Sequence, residues 1–166
     1  MLRPATMADF PFIRALAGRA ENAPFITDED EAALADYLAD SSARLLIWEP
    51  ERKPAGFALF CEIGSPSCAV ELRRLALAGT GRGEGQVFLR ALLDYGFGTL
   101  EAARVWLDAS SENPRAMKTY DRAGFTLEGR LRQHWHRPAL GRVVDVMLYG
   151  MLRTEWETLE PLSARA

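Results

Sequence analysis

The chain has 166 residues, 48% of them hydrophobic and 26% charged, a length and balance that fit one globular domain and exclude a disordered chain. Its formal net charge of -3 gives no general attraction for a polyanion, so nucleic acid is not an expected partner. No stretch approaches the roughly 18 uninterrupted apolar residues of a membrane span, no leader-like segment opens the chain, and Cys61 and Cys68 lie in no CxxC or Cys/His pattern, so a reduced, cytoplasmic protein with no membrane partner is expected.

Leu2-Arg3-Pro4 reads as a short strand, and Thr6 with Asp9 reads as a helix cap leading into Ile13, Leu16 and Ala17 at helical spacing. A second acidic start, Thr27-Asp28-Glu29-Asp30, precedes Ala33, Leu34, Tyr37 and Leu38, which predicts a second helix to about Ala39. Arg44–Trp48 and Ala55–Cys61, parted by a charged turn, have a hairpin pattern, and Cys68–Leu77 is the next strand. The run Gly79-Thr80-Gly81-Arg82-Gly83-Glu84-Gly85 breaks that strand; Val87, Ala91, Leu92 and Tyr95 then give a helix a buried face, with Gly96 and Gly98 as stop signals. Arg104–Asp108 is a short apolar strand, Asn113-Pro114 opens a helix that Ala123-Gly124 closes, and Phe125–His136 and Val143–Leu152 read as strands joined through Pro138 and Gly141. This order predicts a single α/β (α+β) domain over residues 1–157, with a sheet of about seven strands and about four helices, and a tail over 158–166.

Gly79, Gly81, Gly83 and Gly85, set between a strand and a helix, let the backbone approach a ligand with no side chain intervening. The helix start that follows offers free N–H groups and a favourable dipole to a phosphate or pyrophosphate, and Arg82 adds a full positive charge. A plain flexible turn would use the same glycines. A dinucleotide G-x-G-x-x-G fingerprint does not fit, since its third glycine would fall on Glu84 or Gln86, and no Lys-Ser or Lys-Thr follows to make a Walker loop.

The run resembles the coenzyme A pyrophosphate loop of the GNAT-type N-acetyltransferase superfamily, with Thr80, Gly83 and Gly85 at the patterned places and Thr80 standing where Gln or Arg is usual. Asn113-Pro114-Arg115-Ala116-Met117-Lys118-Thr119-Tyr120-Asp121-Arg122-Ala123-Gly124-Phe125 is similar to the N-x-x-A-x-x-x-Y-x-x-x-G-F segment of the same superfamily. Asn113 and Tyr120 are seven residues apart, so they project from nearly one helix face, though a cap and a core aromatic would also account for them. The resemblance covers nearly the whole chain, and the ending from Glu128 to Trp156 is similar to the branch containing ribosomal-protein alanine acetyltransferases. It implies a mixed, mostly antiparallel sheet, acetyl-CoA as acyl donor without a metal, and a primary amine acceptor, either a protein N-terminus or a small amine such as a polyamine or amino sugar. It also implies a homodimer. Around the coenzyme it places Thr80, Gly81, Arg82, Gly83, Glu84, Gly85 and Gln86, with Leu75 and Leu77 of the preceding strand and Asn113.

An alkylammonium of pKa near 10.4 is neutral in about one molecule in a thousand or fewer at pH 7, so amine acetylation calls for a proton acceptor. The departing thiolate calls for a donor, and the carbonyl oxygen for an N–H. Tyr120 is the candidate acid, a backbone N–H near Leu75 the oxyanion donor, and Glu71 the candidate base. Simple alternation puts Glu71, Arg73, Leu75 and Leu77 on one face of their strand and Val70, Leu72, Arg74 and Ala76 on the other; a bulge, common in the superfamily, would change this. An ion pair of Glu71 with a neighbouring arginine is the competing reading. His134 and His136 are expected on one side of their strand, facing substrate or solvent, since no third ligand at matching spacing makes a metal site. Asp145 is a candidate to attract a cationic amine, or else a surface carboxylate. A noncatalytic acyl-CoA binding or sensing domain would keep the same loop, but Tyr120 favours an enzyme.

Overall fold

The computed structural model describes residues 1–79, 81 and 83–159. Seven strands, β1 Leu2–Pro4, β2 Arg44–Trp48, β3 Gly56–Cys61, β4 Ala69–Leu77, β5 Arg104–Ser110, β6 Thr126–Arg137 and β7 Arg142–Leu152, form one sheet in the order β1-β2-β3-β4-β5-β7-β6. β4 and β5 pair in parallel and the other neighbours antiparallel, the mixed arrangement expected. Helices α1 Phe10–Ala17 and α2 Glu31–Ala39 cover one face of the sheet, and α3 Glu84–Asp94 and α4 Pro114–Ala123 the other. A short α5, Arg153–Glu157, adds a helix that the sequence pattern did not predict. Among the described residues no helix is long and apolar enough to cross a membrane. Of the predicted tail, residues 160–166 lie outside the described residues.

Local chemistry sets the helix starts. Asp30 accepts the Ala33 N–H at 2.9 Å, so α2 begins at Glu31 rather than at Thr27. Asp9 accepts the Thr6 N–H at 2.8 Å and two bonds from the Arg3 guanidinium, which holds its carboxyl down at about 2. Because both sheet faces are covered, β3 is apolar throughout: Phe57, Leu59 and Cys61 meet Phe10, Ile13, Leu16 and Leu34, while Ala58 and Phe60 meet Phe88, Leu89 and Leu92. Each buried Phe or Leu contributes about 1.5–3 kcal/mol.

Gly96 and Gly98 do not stop α3. The winding continues through Tyr95–Thr99 as a wider π turn. A Cβ at Gly96 would lie 3.0 Å from Val105 Cγ2 and 3.5 Å from Phe60 Cε1, so this glycine permits close packing on the sheet rather than termination.

Two irregularities in β4 shape the site. The β3–β4 register steps from Phe60↔Leu72 to Leu59↔Arg74, leaving Arg73 as the extra residue of a bulge. Past it the alternation reverses: Leu75 and Leu77 join Val70 and Leu72 against the α3 core, whereas Ala76 packs in the core that Cys61, opposite Glu71, also joins. The simple alternation expected for this strand therefore holds only as far as Leu72. Second, the β4–β5 pairing ends at Glu71↔Trp106, and the strands part beyond it.

Candidate active site

The wedge between β4 and β5 is a cavity of about 720 Å³, lined by both strands, the glycine turn, α4, the α1–α2 loop and part of β6. That volume suits a substantial organic ligand.

At one end Gly79, Gly81, Gly83, Gly85 and Gln86 form the wall. Gly83 caps α3 with φ +80° and Gly81 has φ +112°, left-handed conformations that favour glycine. A Cβ built on either would meet nothing within 4 Å, so the bare backbone faces open space at the start of an 11-residue helix. Thr80 and Arg82 lie outside the described residues. Glu84 heads α3 but is not on the cavity wall, and Gln86 spends its side-chain amide on the Thr119 carbonyl, 2.9 Å away, tying α3 to α4. Arg115 and Arg122 also line the cavity from exposed positions on α4, adding positive charge where an anionic ligand would sit.

Leu75 and Leu77 line the wall as expected. The Ala78 N–H donates to the Ala55 carbonyl on the β3 side at 2.7 Å, so alternation along the strand turns the Leu77 and Leu75 amides towards the open edge. Asn113 caps α4, its Oδ1 accepting the Ala116 N–H at 3.1 Å, and its amide nitrogen has no partner among the described residues. Tyr120 is 6% exposed, with Tyr149 edge-on at 5.5 Å and Phe125 at 6.0 Å between ring centres. Burial, and secondarily the Asp108 carboxylate, push its phenol far above the ordinary value, so it is protonated across the neutral range.

Glu71 reaches the cavity, but Arg73 donates Nε–H to its Oε2 at 2.8 Å and pairs with it again at 2.5 Å. The residue that sequence reasoning missed is Asp108, on the facing wall. It accepts no hydrogen bond from the described residues, and burial, followed by the Glu71 charge, raises its pKa despite the opposing pull of His134, Arg73 and Arg74. An acid closing an otherwise apolar predicted strand, Arg104–Asp108, was its available signal.

His134 lines the cavity and His136 does not; Trp135 does instead. The β6–β7 register breaks between Leu131 and Trp135, and there Asp145 accepts the Gln133 N–H at 2.7 Å and the Arg130 Nε–H at 2.6 Å. Asp145 thus lies off the wall, pinning the bulge that carries His134 and Trp135. The α1–α2 loop contributes Asn22, Phe25, Ile26 and Thr27 to the same end. No group of His, Cys, Asp or Glu suited to a metal ion occurs among the described residues.

The model of the acetyltransferase (GNAT) family matches residues 10–125. A spermidine N(1)-acetyltransferase of Vibrio cholerae serotype O1 is 27% identical over 131 residues, covering 78% of this chain and 75% of that protein. The spermidine N(1)-acetyltransferase of Escherichia coli strain K12 is 26% identical over 139 residues, 78% and 74% of the two chains. The crystal structure of spermidine N-acetyltransferase from Vibrio cholerae in complex with CoA and spermine superimposes with a TM-score of 0.84 over 95% of this chain and 98% of that one, at 22% identity.

Proposed function

The chain belongs to the acetyltransferase (GNAT) family and is an acetyl-CoA-dependent N-acetyltransferase, and on that premise we propose that its acceptor is a polyamine. The relatives named above act on spermidine. Phe25, Ile26 and Trp135 offer apolar walls to a methylene chain, and Asp108 offers a carboxylate to an ammonium. The alanine-acetyltransferase branch suggested by the chain's ending finds no counterpart among these relatives, so a protein N-terminus stands second as acceptor.

The residues present fit acetyl-CoA. The backbone of Gly81, Gly83 and Gly85 and the start of α3 would hold its pyrophosphate, and the Leu75 and Leu77 amides at the open edge of β4 its amide-bearing arm. When bound, it supplies an activated acetyl thioester. We assign the proton acceptor to Asp108: it accepts no hydrogen bond from the described residues, and its raised pKa makes it a stronger base than an ordinary aspartate, whereas Arg73 occupies the Glu71 carboxylate. Glu71 then acts through its charge on Asp108. Tyr120 holds a proton on Oη at neutral pH and serves as the acid, and the Leu75 N–H is the oxyanion donor.

The observation that carries this reading is that the glycine backbone, Asp108 and Tyr120 border one cavity. It is tested by thiol release from acetyl-CoA with spermidine, spermine, simple alkylamines, amino sugars and peptides bearing N-terminal alanine. Release should be fastest with the polyamines. Faster release with the peptides would reject the acceptor assignment, and thermal protection by acetyl-CoA without release from any amine would indicate a binding domain. The same proposal places the enzyme in the cytoplasm. A homodimer is supported by Leu127, Val143 and Leu131 exposed on the β6–β7 hairpin, and a monomeric mass by light scattering would reject it.

A further inference from the structure

Arg137, at the end of β6, is 3% exposed, yet no carboxylate pairs with it among the described residues. Its hydrogen-bond partners among the described residues are all on the α1–α2 loop: Nε donates to the Pro24 carbonyl at 2.8 Å, one terminal nitrogen to the Ala23 carbonyl at 3.0 Å, and the other to Thr27 Oγ1 at 3.3 Å. The Ala23 and Pro24 carbonyls receive no backbone N–H from the described residues, so the guanidinium supplies what regular secondary structure would. Its carbon also lies 3.9 Å from the centre of the Trp135 ring. The loop's other end is fastened separately, by Arg19 to the Ala78 carbonyl at 2.6 Å and by Asn22 Nδ2 to the Leu16 carbonyl at 2.8 Å.

These bonds join two walls of the cavity. Phe25, Ile26 and Thr27 belong to the loop, Trp135 and His134 to β6, and Arg137 sits behind both. Burying a guanidinium that has no carboxylate partner among the described residues is costly, but an apolar residue of similar size would leave the Ala23 and Pro24 carbonyls without a donor. The planar fork of Arg137 reaches two successive carbonyls, a hydroxyl and an aromatic face at once.

We propose that Arg137 is a positioning residue for acceptor binding, a clamp that fixes the distance between the 22–27 loop and Trp135 and so sets the width of the acceptor channel. It touches no reacting atom and leaves the coenzyme end alone. The inference rests on the acetyl-transfer reading only for its kinetic consequence.

The test combines hydrogen exchange with steady-state kinetics, using spermidine and acetyl-CoA, on the full chain and on Arg137→Met and Arg137→Lys. In Arg137→Met, amides of residues 18–27 should exchange at least tenfold faster while β2 and β3 are unchanged. The spermidine KM should rise tenfold or more with the acetyl-CoA KM within twofold. Arg137→Lys, whose ammonium cannot span both carbonyls, should fall between, and it decides alone if Arg137→Met does not fold. Unchanged exchange at 18–27, a uniform rise along the whole chain, or an acetyl-CoA KM rising in step would overturn the clamp. If the wild type acetylates no amine, the acetyl-transfer reading fails while exchange still judges the clamp.

Discussion

Replacing Asp108 by Asn removes a charge and a proton acceptor while keeping the side chain's shape. Loss of a general base is worth about 10²–10⁴-fold, so kcat/KM should fall by at least ~10²-fold, about 2.7 kcal/mol of transition-state stabilisation. Glu71→Gln should cost less than about tenfold, because Arg73 already occupies that carboxylate. Stability should move the other way. Burial and the Glu71 charge raise the folded pKa of Asp108, so its contribution to stability is complete below the unfolded value near 4 and is lost as pH rises through the folded value. Asp108→Asn should therefore melt higher than wild type at pH 7–8, with the gain shrinking as the pH is lowered towards 4. Thiol-release kinetics and a melting series across pH measure the two effects. Asp108→Asn keeping kcat/KM within threefold while Glu71→Gln loses a hundredfold, or Asp108→Asn melting lower at every pH, would refute Asp108 as the buried base.

Tyr120→Phe should lower kcat by an order of magnitude or more and change the melting free energy by less than about 1 kcal/mol, because the hydroxyl makes no hydrogen bond with the described residues; unaltered turnover would remove it from the chemistry. Gly83→Val places a branched side chain at φ +80° against the open cradle, so the CoA Kd by calorimetry should rise tenfold or more, and wild-type affinity would make the loop a mere turn. Asp9→Asn should cost about 2 kcal/mol at neutral pH, since its carboxyl is held at about 2 against 3.8 unfolded. That contribution is present above 3.8 and disappears as pH falls through 2, so denaturation midpoints of variant and wild type should converge in acid.

The fold was legible because local rules agree with the tertiary answer. The β-branched and aromatic runs became strands, the Asn113-Pro114 cap and Gly124 at φ +95° bounded α4, and the glycine run sat between β4 and α3. What escaped were features created by partners distant in sequence. The phase slip at Arg73 comes from β4 pairing with β3, and an alternating pattern cannot show which residue the partner skips. Asp108 passed only as the last residue of a short apolar strand because its place in the cavity depends on β4 and β5 parting after Glu71↔Trp106. His134 and His136 looked equivalent by parity, but a second slip, pinned by Asp145, brings His134 and Trp135 to the wall. Gly96 looked like a helix stop because its packing against Phe60 and Val105 leaves no local mark.

The most direct measurement is a crystal structure of the chain with coenzyme A. The pyrophosphate should lie against the backbone of residues 81–85, the arm along the free edge of β4, and the sulfur within hydrogen-bonding distance of Tyr120 Oη, facing Asp108. A coenzyme bound elsewhere, or a sulfur remote from both side chains, would contradict the account.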